Sequence, residues 1–408
     1  MIDRLGKHPR LLRWVALGTL AAMTLVMAGC GALRDDEGRP LTTLNPRGPQ
    51  AQDIDDISTP VFWVAGAVFV LVEGGVLFLM WRYRRRKGDQ DGVEEPVQVH
   101  GIPRLEWAWT IAPAILLGLM AILNVRGIWK LEERDADALN IEVYGQQWWW
   151  EYRYDVDDDG APDIITANQM VIPAGRQINL IIRSNDVIHS FWIPALNGKK
   201  DAVPGRTHEW SLEADEPGTY QGTCTEFCGL SHAYMRMEVK AVTAAEYEQW
   251  LEDQQQPFTP PEDATPDETD DDSLELAGYK EFLSQCAQCH QLNGIDYDKN
   301  ETDGTPDPDY GGEIDEETGF ARMPLTSGNA PNLTHLMSRE KFAGNLFDLY
   351  TEDGNEGERQ VNESNLANWL KDPKAMKPMA PDENRGMPNL NLTSDQIAAL
   401  VAFLQTLK

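Results

Sequence analysis

The sequence predicts a multidomain chain with three kinds of structure in order: a two-helix transmembrane hairpin, an all-β sandwich and an all-α domain. Three observations predict this order. Two long apolar segments lie in the first third of the chain, short β-rich runs separated by turn residues follow, and helical periodicity returns near the C-terminus. A chain of 408 residues is long enough for two or three domains.

The composition excludes one class of partner. The chain has 66 Asp and Glu against 35 Lys and Arg, which gives a formal net charge of −31. A phosphate backbone would be repelled, so we expect no nucleic-acid partner, whereas a basic protein would be attracted. The cysteines do not form a disulfide framework, because they fall as one, two and two. They are Cys30, Cys224, Cys228, Cys286 and Cys289.

The N-terminus has the features of an export signal. Basic residues precede a short apolar run at 14–27, and Ala28-Gly29-Cys30 follows it. The run is too short to span a bilayer comfortably. The pattern resembles a bacterial lipoprotein site and predicts a signal peptide over 1–29 with Cys30 lipidated. The alternative is an uncleaved membrane helix with an incidental cysteine.

The next two apolar segments are long enough to cross a membrane. Segments 61–81 and 107–125 each approach the ~20 residues that a bilayer core requires. The basic segment 82–87 between them marks the cytoplasmic side. We therefore predict a hairpin over 58–127 in the bacterial inner membrane, with everything after about Arg126 on the periplasmic or extracellular side. Two buried core helices are the alternative.

The β sandwich is predicted over residues 138–245. Runs such as INLIIRS and YMRMEVKAV are separated there by Pro-Gly turns. Residues 251–272 contain many acids, several prolines and no Lys or Arg, which is typical of a solvated linker. The last domain, 273–408, ends in a helix whose first turn has the capping-box pattern Thr393-x-x-Gln396.

The stretch CTEFCGLSHAYM concentrates sulfur and nitrogen ligands. It contains Cys224, Cys228, His232 and Met235, and His189 lies upstream at the predicted end of a strand. Structural zinc usually uses a tight C-x-x-C knuckle and needs no methionine, so zinc is the weaker alternative. Thiolate, imidazole and a weak thioether are the ligands of copper electron-transfer sites. Two cysteines can bridge two copper ions, which share one electron with little change of geometry.

This motif resembles the CuA loop of cytochrome c oxidase subunit II. The resemblance covers about residues 58–245 and includes GQQWWWEYRY and KKDAVPGR. It implies a cupredoxin-like sandwich with a binuclear copper centre, CuA. The ligands that it implies are the bridging thiolates of Cys224 and Cys228, the imidazoles of His189 and His232, the weak axial thioether of Met235 and the main-chain carbonyl of Glu226. The Glu226 side chain would also face a magnesium ion at the boundary with subunit I.

Two further residues have roles that only the resemblance implies. Trp148, the first of three adjacent tryptophans, would be an exposed electron-entry ring beside the copper site. The alternative is packing in the core or at the membrane interface. Glu106, in LEWAWT, matches the family pattern E-x-x-W-T and would lie at the mouth of a proton path into subunit I. Its alternative is an ordinary interfacial charge.

The sequence CAQCH, from Cys286 to His290, is the attachment pattern of a c-type haem. The thiols of Cys286 and Cys289 add across the haem vinyl groups, and His290 supplies the proximal iron ligand. The run KPMAPDENRGMPNL resembles the ligand loop of class I cytochromes c, where Met-Pro precedes the last helix. This implies Met387 as the second axial ligand, with Met379 as the alternative; a thioether there raises the potential.

An acidic insert at 291–330 separates His290 from Pro331. Pro331, in APNLTHL, resembles the residue that packs against the proximal histidine. The insert is expected to be a solvated loop, and no function is assigned to it.

Together the two motifs resemble subunit II of a proton-pumping cytochrome c oxidase with a fused cytochrome c domain. Electrons would pass from a basic cytochrome c or another donor through haem c and CuA to subunit I, where dioxygen is reduced to water. Subunit III would be a further partner. One alternative is a membrane-anchored carrier outside an oxidase. Another is a nitrous oxide reductase-like protein, which would need many histidines, whereas this chain has 7. A quinol oxidase subunit is excluded if both Cys224 and Cys228 bind metal.

Overall fold

The structure is a computed structural model. The predicted signal peptide, Cys30, most of the acidic insert and residues 261–272 of the predicted linker lie outside the part of the chain that it describes. The described residues are 41–85, 101–135, 137–157, 159–160, 162–260, 273–293, 297–298, 323–324, 330–351, 359–383 and 385–408.

Two long helices precede the sandwich, as predicted. Helix α1 is Pro49–Tyr83 and helix α2 is Pro103–Leu131. Each begins with a proline, whose missing N–H removes no intrahelical bond in the first turn. They contain 35 and 29 residues, so both are longer than the apolar segments that predicted them. Both are apolar and long enough to cross a membrane, and the most apolar window of each is unburied by the rest of the chain.

The middle of the chain forms a β sandwich. Its strands are β1 Leu139–Gln146, β2 Trp149–Tyr154, β3 Ile164–Ala167, β4 Gln169–Pro173, β5 Ile178–Ser184, β6 His189–Phe191, β7 Lys200–Ala202, β8 His208–Leu212, β9 Gly218–Thr223 and β10 Arg236–Val242. The main sheet has the order β3-β2-β1-β5-β8, and the facing sheet has the order β4-β10-β9; β6 and β7 pair separately.

Alternating side chains build the core of this sandwich. In β5, Ile178, Leu180 and Ile182 are fully buried while the residues between them are half-buried. This period of two turns one face of the strand toward the opposite sheet. β5 pairs in parallel with β1 and antiparallel with β8. Burying each such side chain contributes about 1.5–3 kcal/mol, so the core holds the metal-binding end of the sandwich in place.

The predicted linker begins too early. Residues 251–254 are the last turn of helix α3, Ala244–Gln254, which starts with a capping box between Thr243 and Glu246. Trp250 and Leu251 pack against the sandwich core, which explains why the helix continues. The carbonyl oxygens of Gln254 and Gln256 then accept hydrogen bonds from Nε2 of a buried histidine, His335, in the last domain.

The last domain is mainly helical, as predicted, with short strand pairs between its helices. The helices are α4 Leu274–Glu281, α5 Glu363–Lys371, α6 Pro373–Met376 and α7 Ser394–Leu404. Single turns of other helix types are at His232–Tyr234 in the sandwich and at Phe282–Cys286, Leu336–Ser338 and Pro381–Glu383. The short strands are β11 Tyr297–Asp298, β12 Met323–Pro324, β13 Lys341–Phe342, β14 Phe347–Asp348, β15 Tyr350–Thr351 and β16 Gln360–Val361.

Helices α4 and α7 cross at very close range. A Cβ atom on Gly278 would lie 2.0 Å from the carbonyl oxygen of Ala399, so only glycine permits this approach. The rings of Phe282 and Phe403 pack beside the crossing, tilted by 49° to each other with centroids 5.4 Å apart. The predicted capping box between Thr393 and Gln396 starts α7. The crossing places the CAQCH segment at the end of a rigid helix pair.

Candidate metal and haem sites

The candidate metal site lies at the end of the β9–β10 hairpin. Thr223, the last residue of β9, is opposite Arg236, the first residue of β10. The main-chain N–H of Cys224 donates to the carbonyl oxygen of Met235 at 3.0 Å, which closes the loop between the strands. The hairpin geometry therefore brings the two ends of the motif together, although eleven positions separate them in the sequence.

The loop and β6 bring every predicted copper ligand into one cluster. The Sγ atoms of Cys224 and Cys228 are 3.8 Å apart, and both cysteines are buried and unpaired by any disulfide. The remaining distances are 4.0 Å from His189 Nδ1 to Cys224 Sγ, 3.6 Å from His232 Nδ1 to Cys228 Sγ, 3.8 Å from Met235 Sδ to Cys228 Sγ, and 3.3 Å from the Glu226 carbonyl oxygen to Cys224 Sγ. This donor set fits two copper ions.

The two thiols influence each other strongly. The hydrogen bond with Cys228 lowers the pKa of Cys224 to about 4, although burial acts in the opposite direction. The same hydrogen bond, together with burial, raises the pKa of Cys228. Thiolates are the form of cysteine that binds metal. Metal binding by this pair of thiols therefore releases protons.

A residue absent from the sequence predictions orients one of the imidazoles. Oδ1 of Asp186 lies 2.7 Å from Nε2 of His189. Asp186 also accepts from the main-chain N–H groups of Gln147 and Val187, each at 2.6 Å. Burial would raise the pKa of Asp186, but the bond from His189 and the N–H donors outweigh it and the pKa is lowered. The signal in the sequence was an acid three positions before a candidate ligand.

The strand that carries His189 differs slightly from expectation. His189 is the first residue of β6 and not the last residue of a strand. Its ring packs edge to face on buried Trp150, with centroids 5.9 Å apart. Burial lowers the pKa of His189, while the bonds with Asp186 and Cys224 raise it, and the net direction is upward. The imidazole is thus held from two sides.

Trp148 lies beside the cluster, but the implied exposure of its ring is wrong. The residue is 4% exposed. Its Nε1–H donates to the carbonyl oxygen of Cys228 at 2.9 Å. Its own carbonyl oxygen accepts from Nζ of Lys377 at 2.7 Å. Lys377 belongs to the last domain, so that domain covers the main chain where the resemblance implied an open face.

The CAQCH segment follows α4 through the wide turn Phe282–Cys286. Cys286 is buried and Cys289 is half-buried, and both thiols are free. Nδ1–H of His290 donates to the carbonyl oxygen of Pro331 at 2.8 Å. The resemblance implied that these two residues would be in contact, but it did not specify a hydrogen bond. Burial lowers the pKa of His290, and this favours the neutral imidazole that binds metals.

The two candidate methionines lie in different surroundings. Met379 is 4% exposed and belongs to the sandwich core cluster that includes the copper-site cysteines. Met387 is half-buried and packs against both that cluster and the cluster containing Cys286. Of the two, only Met387 packs against the core around the CAQCH segment. Its position is compatible with the predicted second ligand.

A buried cation near this segment was not predicted from the sequence. Arg339 is 5% exposed, and its Nη2 donates to the carbonyl oxygen of Asn332 at 2.6 Å. Its Nε atom is buried and has no hydrogen-bond partner among the described residues. Burial lowers the pKa of Arg339 to about 10. An unsatisfied buried guanidinium fits an anionic group such as a haem carboxylate. The thiols, His290 and Arg339 together therefore fit haem c.

Glu106 lies in the first turn of α2 and is exposed. Its main-chain carbonyl oxygen accepts from Thr110 Oγ1 at 2.9 Å. Glu106 thus lies at the start of the second apolar helix. Residues 86–100, which precede this turn, lie outside the described residues, so the role of Glu106 stays a prediction.

The fold and the two sites define a membrane-anchored redox protein that joins a sulfur-rich metal-site sandwich to a cytochrome c domain. Three family models match successive parts of the chain. They are the transmembrane domain of cytochrome c oxidase subunit II at residues 45–126, its periplasmic domain at 155–242, and cytochrome c at 276–408.

Similar proteins cover nearly the whole chain. Cytochrome c oxidase subunit 2 of Alkalihalophilus pseudofirmus is 32% identical over 398 residues, which are 95% of this chain and 96% of the relative. Cytochrome c oxidase subunit 2 of Bacillus sp. strain PS3 is 29% identical and covers 98% of each chain. A crystal structure of the periplasmic domain of subunit II from Bradyrhizobium japonicum is 33% identical over 30% of this chain and 95% of that one, with a TM-score of 0.27.

The chain belongs to the cytochrome c oxidase subunit 2 family. It is therefore an electron-transfer component of a haem-copper oxidase and associates with the core subunits of that complex. Its two apolar helices anchor it in a membrane.

Proposed function

We propose that this chain is subunit II of a proton-pumping cytochrome c oxidase in the bacterial inner membrane. It relays electrons from an upstream donor through haem c and CuA to the haem-copper centre of subunit I, where dioxygen is reduced to water. Its sandwich and haem domains lie on the periplasmic or extracellular side, and subunit III is a further partner. The observation that supports this most is the single cluster of two thiols, two imidazoles and one thioether.

The residues of the cluster would supply different kinds of ligand to copper. When bound, copper held by two thiolates would supply a one-electron site that needs little change of geometry. Cys224 and Cys228 would supply these thiolates. The remaining donors are His189, His232, Met235 and the Glu226 carbonyl. Asp186 holds the His189 ring so that its Nδ1 faces the sulfur atoms, and the burial of both cysteines keeps water away from the metals.

The haem domain holds its group with both covalent and polar contacts. When attached, haem c supplies a one-electron site whose potential depends on its axial ligands and its surroundings. Cys286 and Cys289 would form the thioether bonds, and His290, which is oriented by its hydrogen bond to Pro331, would bind the iron through Nε2. Met387 would supply the second protein ligand to the iron. Arg339, whose buried Nε has no partner among the described residues, would pair with a haem carboxylate.

Three residues connect these sites with their surroundings. Trp148 bonds through its ring to the carbonyl of Cys228, and so contacts the copper loop on the side of the haem domain. The Glu226 side chain is exposed, which lets it reach a magnesium ion shared with subunit I. Glu106 takes the position of a proton-path residue at the cytoplasmic end of α2.

Matched cysteine variants test the assignment. In Cys228→Ser, we expect loss of the near-infrared copper absorption and a fall from two copper atoms per chain to at most one, while the visible haem bands are kept. In Cys289→Ser, we expect weakened or altered haem attachment with both copper atoms retained. Zinc in the purified chain, or one copper atom in the unaltered chain, would contradict the proposal.

Co-purification tests whether the chain works within an oxidase. Membranes are solubilised in mild detergent, and the chain is isolated through an affinity tag. We expect a subunit I with oxygen-reducing activity in the same fraction. If the chain carried copper and haem c but no oxygen-reducing partner, it would instead be a free-standing membrane-anchored carrier.

A further inference from the structure

Three consecutive residues of the haem domain adopt an uncommon backbone. Ala343, Gly344 and Asn345 have φ values of 55°, 85° and 60° in the turn between β13 and β14. Non-glycine residues in this left-handed region are strained by about 1–2 kcal/mol each. We call residues 343–345 the docking hook, because backbone and side-chain groups of all three residues form hydrogen bonds outside this turn.

Two of these contacts reach the β sandwich at 138–245, which we call the copper domain. The carbonyl oxygen of Gly344 accepts from the main-chain N–H of Arg236, the first residue of β10, at 3.2 Å. Nδ2 of Asn345 donates to Glu238 Oε2 at 3.0 Å. Arg236 follows the ligand Met235 directly, so the hook attaches beside the metal site.

The side chain of Glu238 is the buried carboxylate that the docking hook contacts. Glu238 is 1% exposed, and amide groups surround it. Gln169 Nε2 donates to Oε1 at 2.6 Å, and Gln221 Nε2 donates to Oε2 at 2.7 Å. Asn345 adds the third amide from the other domain. A buried carboxylate needs such donors, and one of them comes from the hook.

We call the contacts between the docking hook and the copper domain the junction. Lys377, which belongs to the haem domain, adds two hydrogen bonds to it. It is 4% exposed, and its amine donates to the carbonyl oxygens of Trp148 at 2.7 Å and of Ala343 at 3.1 Å. No ion pair links it to any residue that the structure describes. The amine therefore joins the hook to the main chain beside the copper loop.

Gly344 has no room for a side chain in this arrangement. A Cβ atom there would lie 2.6 Å from Nζ of Lys377 and 3.0 Å from the carbonyl oxygen of Tyr234. Its positive φ would also strain any other residue. Substitution at this position thus tests the junction without changing a charge.

We propose that Lys377 is a positioning residue that, together with the docking hook, holds the haem domain on the copper domain beside Trp148. Transfer between the two domains is then a step within a preassembled unit: one electron leaves ferrous haem and enters the oxidised copper pair, and no bond forms or breaks. The electron-transfer part rests on the proposed function, whereas the docking itself does not.

The character of the contacts predicts how the junction responds to salt. The hydrogen bonds at the centre of the junction are buried, and they join amides, carbonyls, one carboxylate and one amine. The ion pair between Lys240 and Glu340, at the edge of the junction, is half-exposed. Salt screens exposed charges much more than buried ones. Docking and interdomain transfer should therefore vary little with ionic strength.

Hydrogen exchange in the full chain tests the docking. Lys377→Met removes the amine and keeps the length of the side chain, and Lys374→Met is the control because Lys374 is exposed three positions away. The carbonyl oxygens of Trp148 and Ala343 then lose a hydrogen-bond donor, which weakens the junction. Because the Arg236 amide is bonded to Gly344 in the docking hook, we expect this amide to exchange about tenfold faster in Lys377→Met. Gly344→Ala should produce the same change. Exchange equal to that of the control in folded Lys377→Met and Gly344→Ala proteins would overturn the proposal.

Flash reduction of the haem in the loaded protein tests the positioning role. The rate of copper reduction should fall about tenfold in Lys377→Met, in line with the lost docking, and stay unchanged in Lys374→Met. In the unaltered protein the rate of copper reduction should be the same at low and high salt. Faster exchange with an unchanged transfer rate would overturn the positioning role. A chain lacking copper or haem would refute the proposed function but leave the exchange result intact. If Lys377→Met does not fold, Gly344→Ala decides both measurements.

Discussion

Asp186 and His189 form a carboxylate–imidazole pair, with 2.7 Å between Oδ1 and Nε2. The pair turns Nδ1 of the imidazole toward Cys224 Sγ, 4.0 Å away. Such a pairing fixes the tautomer of a metal-binding histidine and makes it a better donor. Asp186 is thus a supporting residue of the metal site.

Asp186→Asn should weaken copper binding by about 10–100-fold, because the imidazole loses its charged partner. The amide NH2 would also face the main-chain N–H groups that now donate to Asp186. Competition with a copper chelator measures the affinity. Asp201→Asn, at an exposed position of the same domain, is the control. Equal affinities in the two variants would show that the pair has no role in binding.

Met387→Ala should abolish the sulfur-to-iron absorption band of the oxidised haem and lower its reduction potential, because a thioether ligand stabilises ferrous iron. Met379→Ala should keep the band, because Met379 packs in the sandwich core. Visible spectra of both oxidised variants decide the matter. The reverse result would make Met379 the ligand.

Arg339→Leu should lower the haem reduction potential by up to about 60 mV, which corresponds to a tenfold change in a one-electron equilibrium. Losing a buried cation, and leaving a haem carboxylate unpaired, both favour the oxidised haem. Redox titration of the c-type bands measures the shift. The control is Arg359→Leu, whose side chain is 54% exposed. If both variants had the potential of the unaltered protein, Arg339 would not contact the haem.

The buried amine of Lys377 predicts a pH dependence of stability. Burial lowers its pKa from the ordinary 10.5 to about 7. Between these values the unfolded chain holds a proton that the folded chain has released, so the free energy of unfolding rises with pH in this window. Lys377→Met lacks this contribution.

Urea unfolding of the full chain in detergent measures this contribution at several pH values within the window. We expect the stability of the unaltered chain relative to Lys377→Met to increase with pH. Lys374→Met should follow the unaltered chain. The same pH slope in all three proteins would contradict a buried, neutral amine.

Electron delivery from a basic donor should slow as salt increases, because the chain carries a net charge of −31 and exposed charges are screened. Turnover of the complex with a soluble basic cytochrome measures this dependence. A small neutral reductant is the control and should show little change. Turnover with the cytochrome that ignored ionic strength would count against electrostatic docking.

Local patterns were enough to predict the order of the domains and the ligand types. The ligands at 224–235 lie on one hairpin end, and the CAQCH segment needs only the end of one helix. Their chemistry is carried by residues that are neighbours in sequence. Element boundaries were less secure: α3 extends into the predicted linker because Trp250 and Leu251 pack on the sandwich.

Contacts between distant parts of the chain could not be predicted in the same way. Arg339 lacks any local motif, and its relevance follows from burial with an unsatisfied Nε. Trp148 was expected to be exposed, but Lys377, 229 positions away, covers its main chain. Spacing in the sequence identifies which donors a loop can offer. Which side chains are buried, oriented or covered depends on how separate domains pack, and only the tertiary structure decides that.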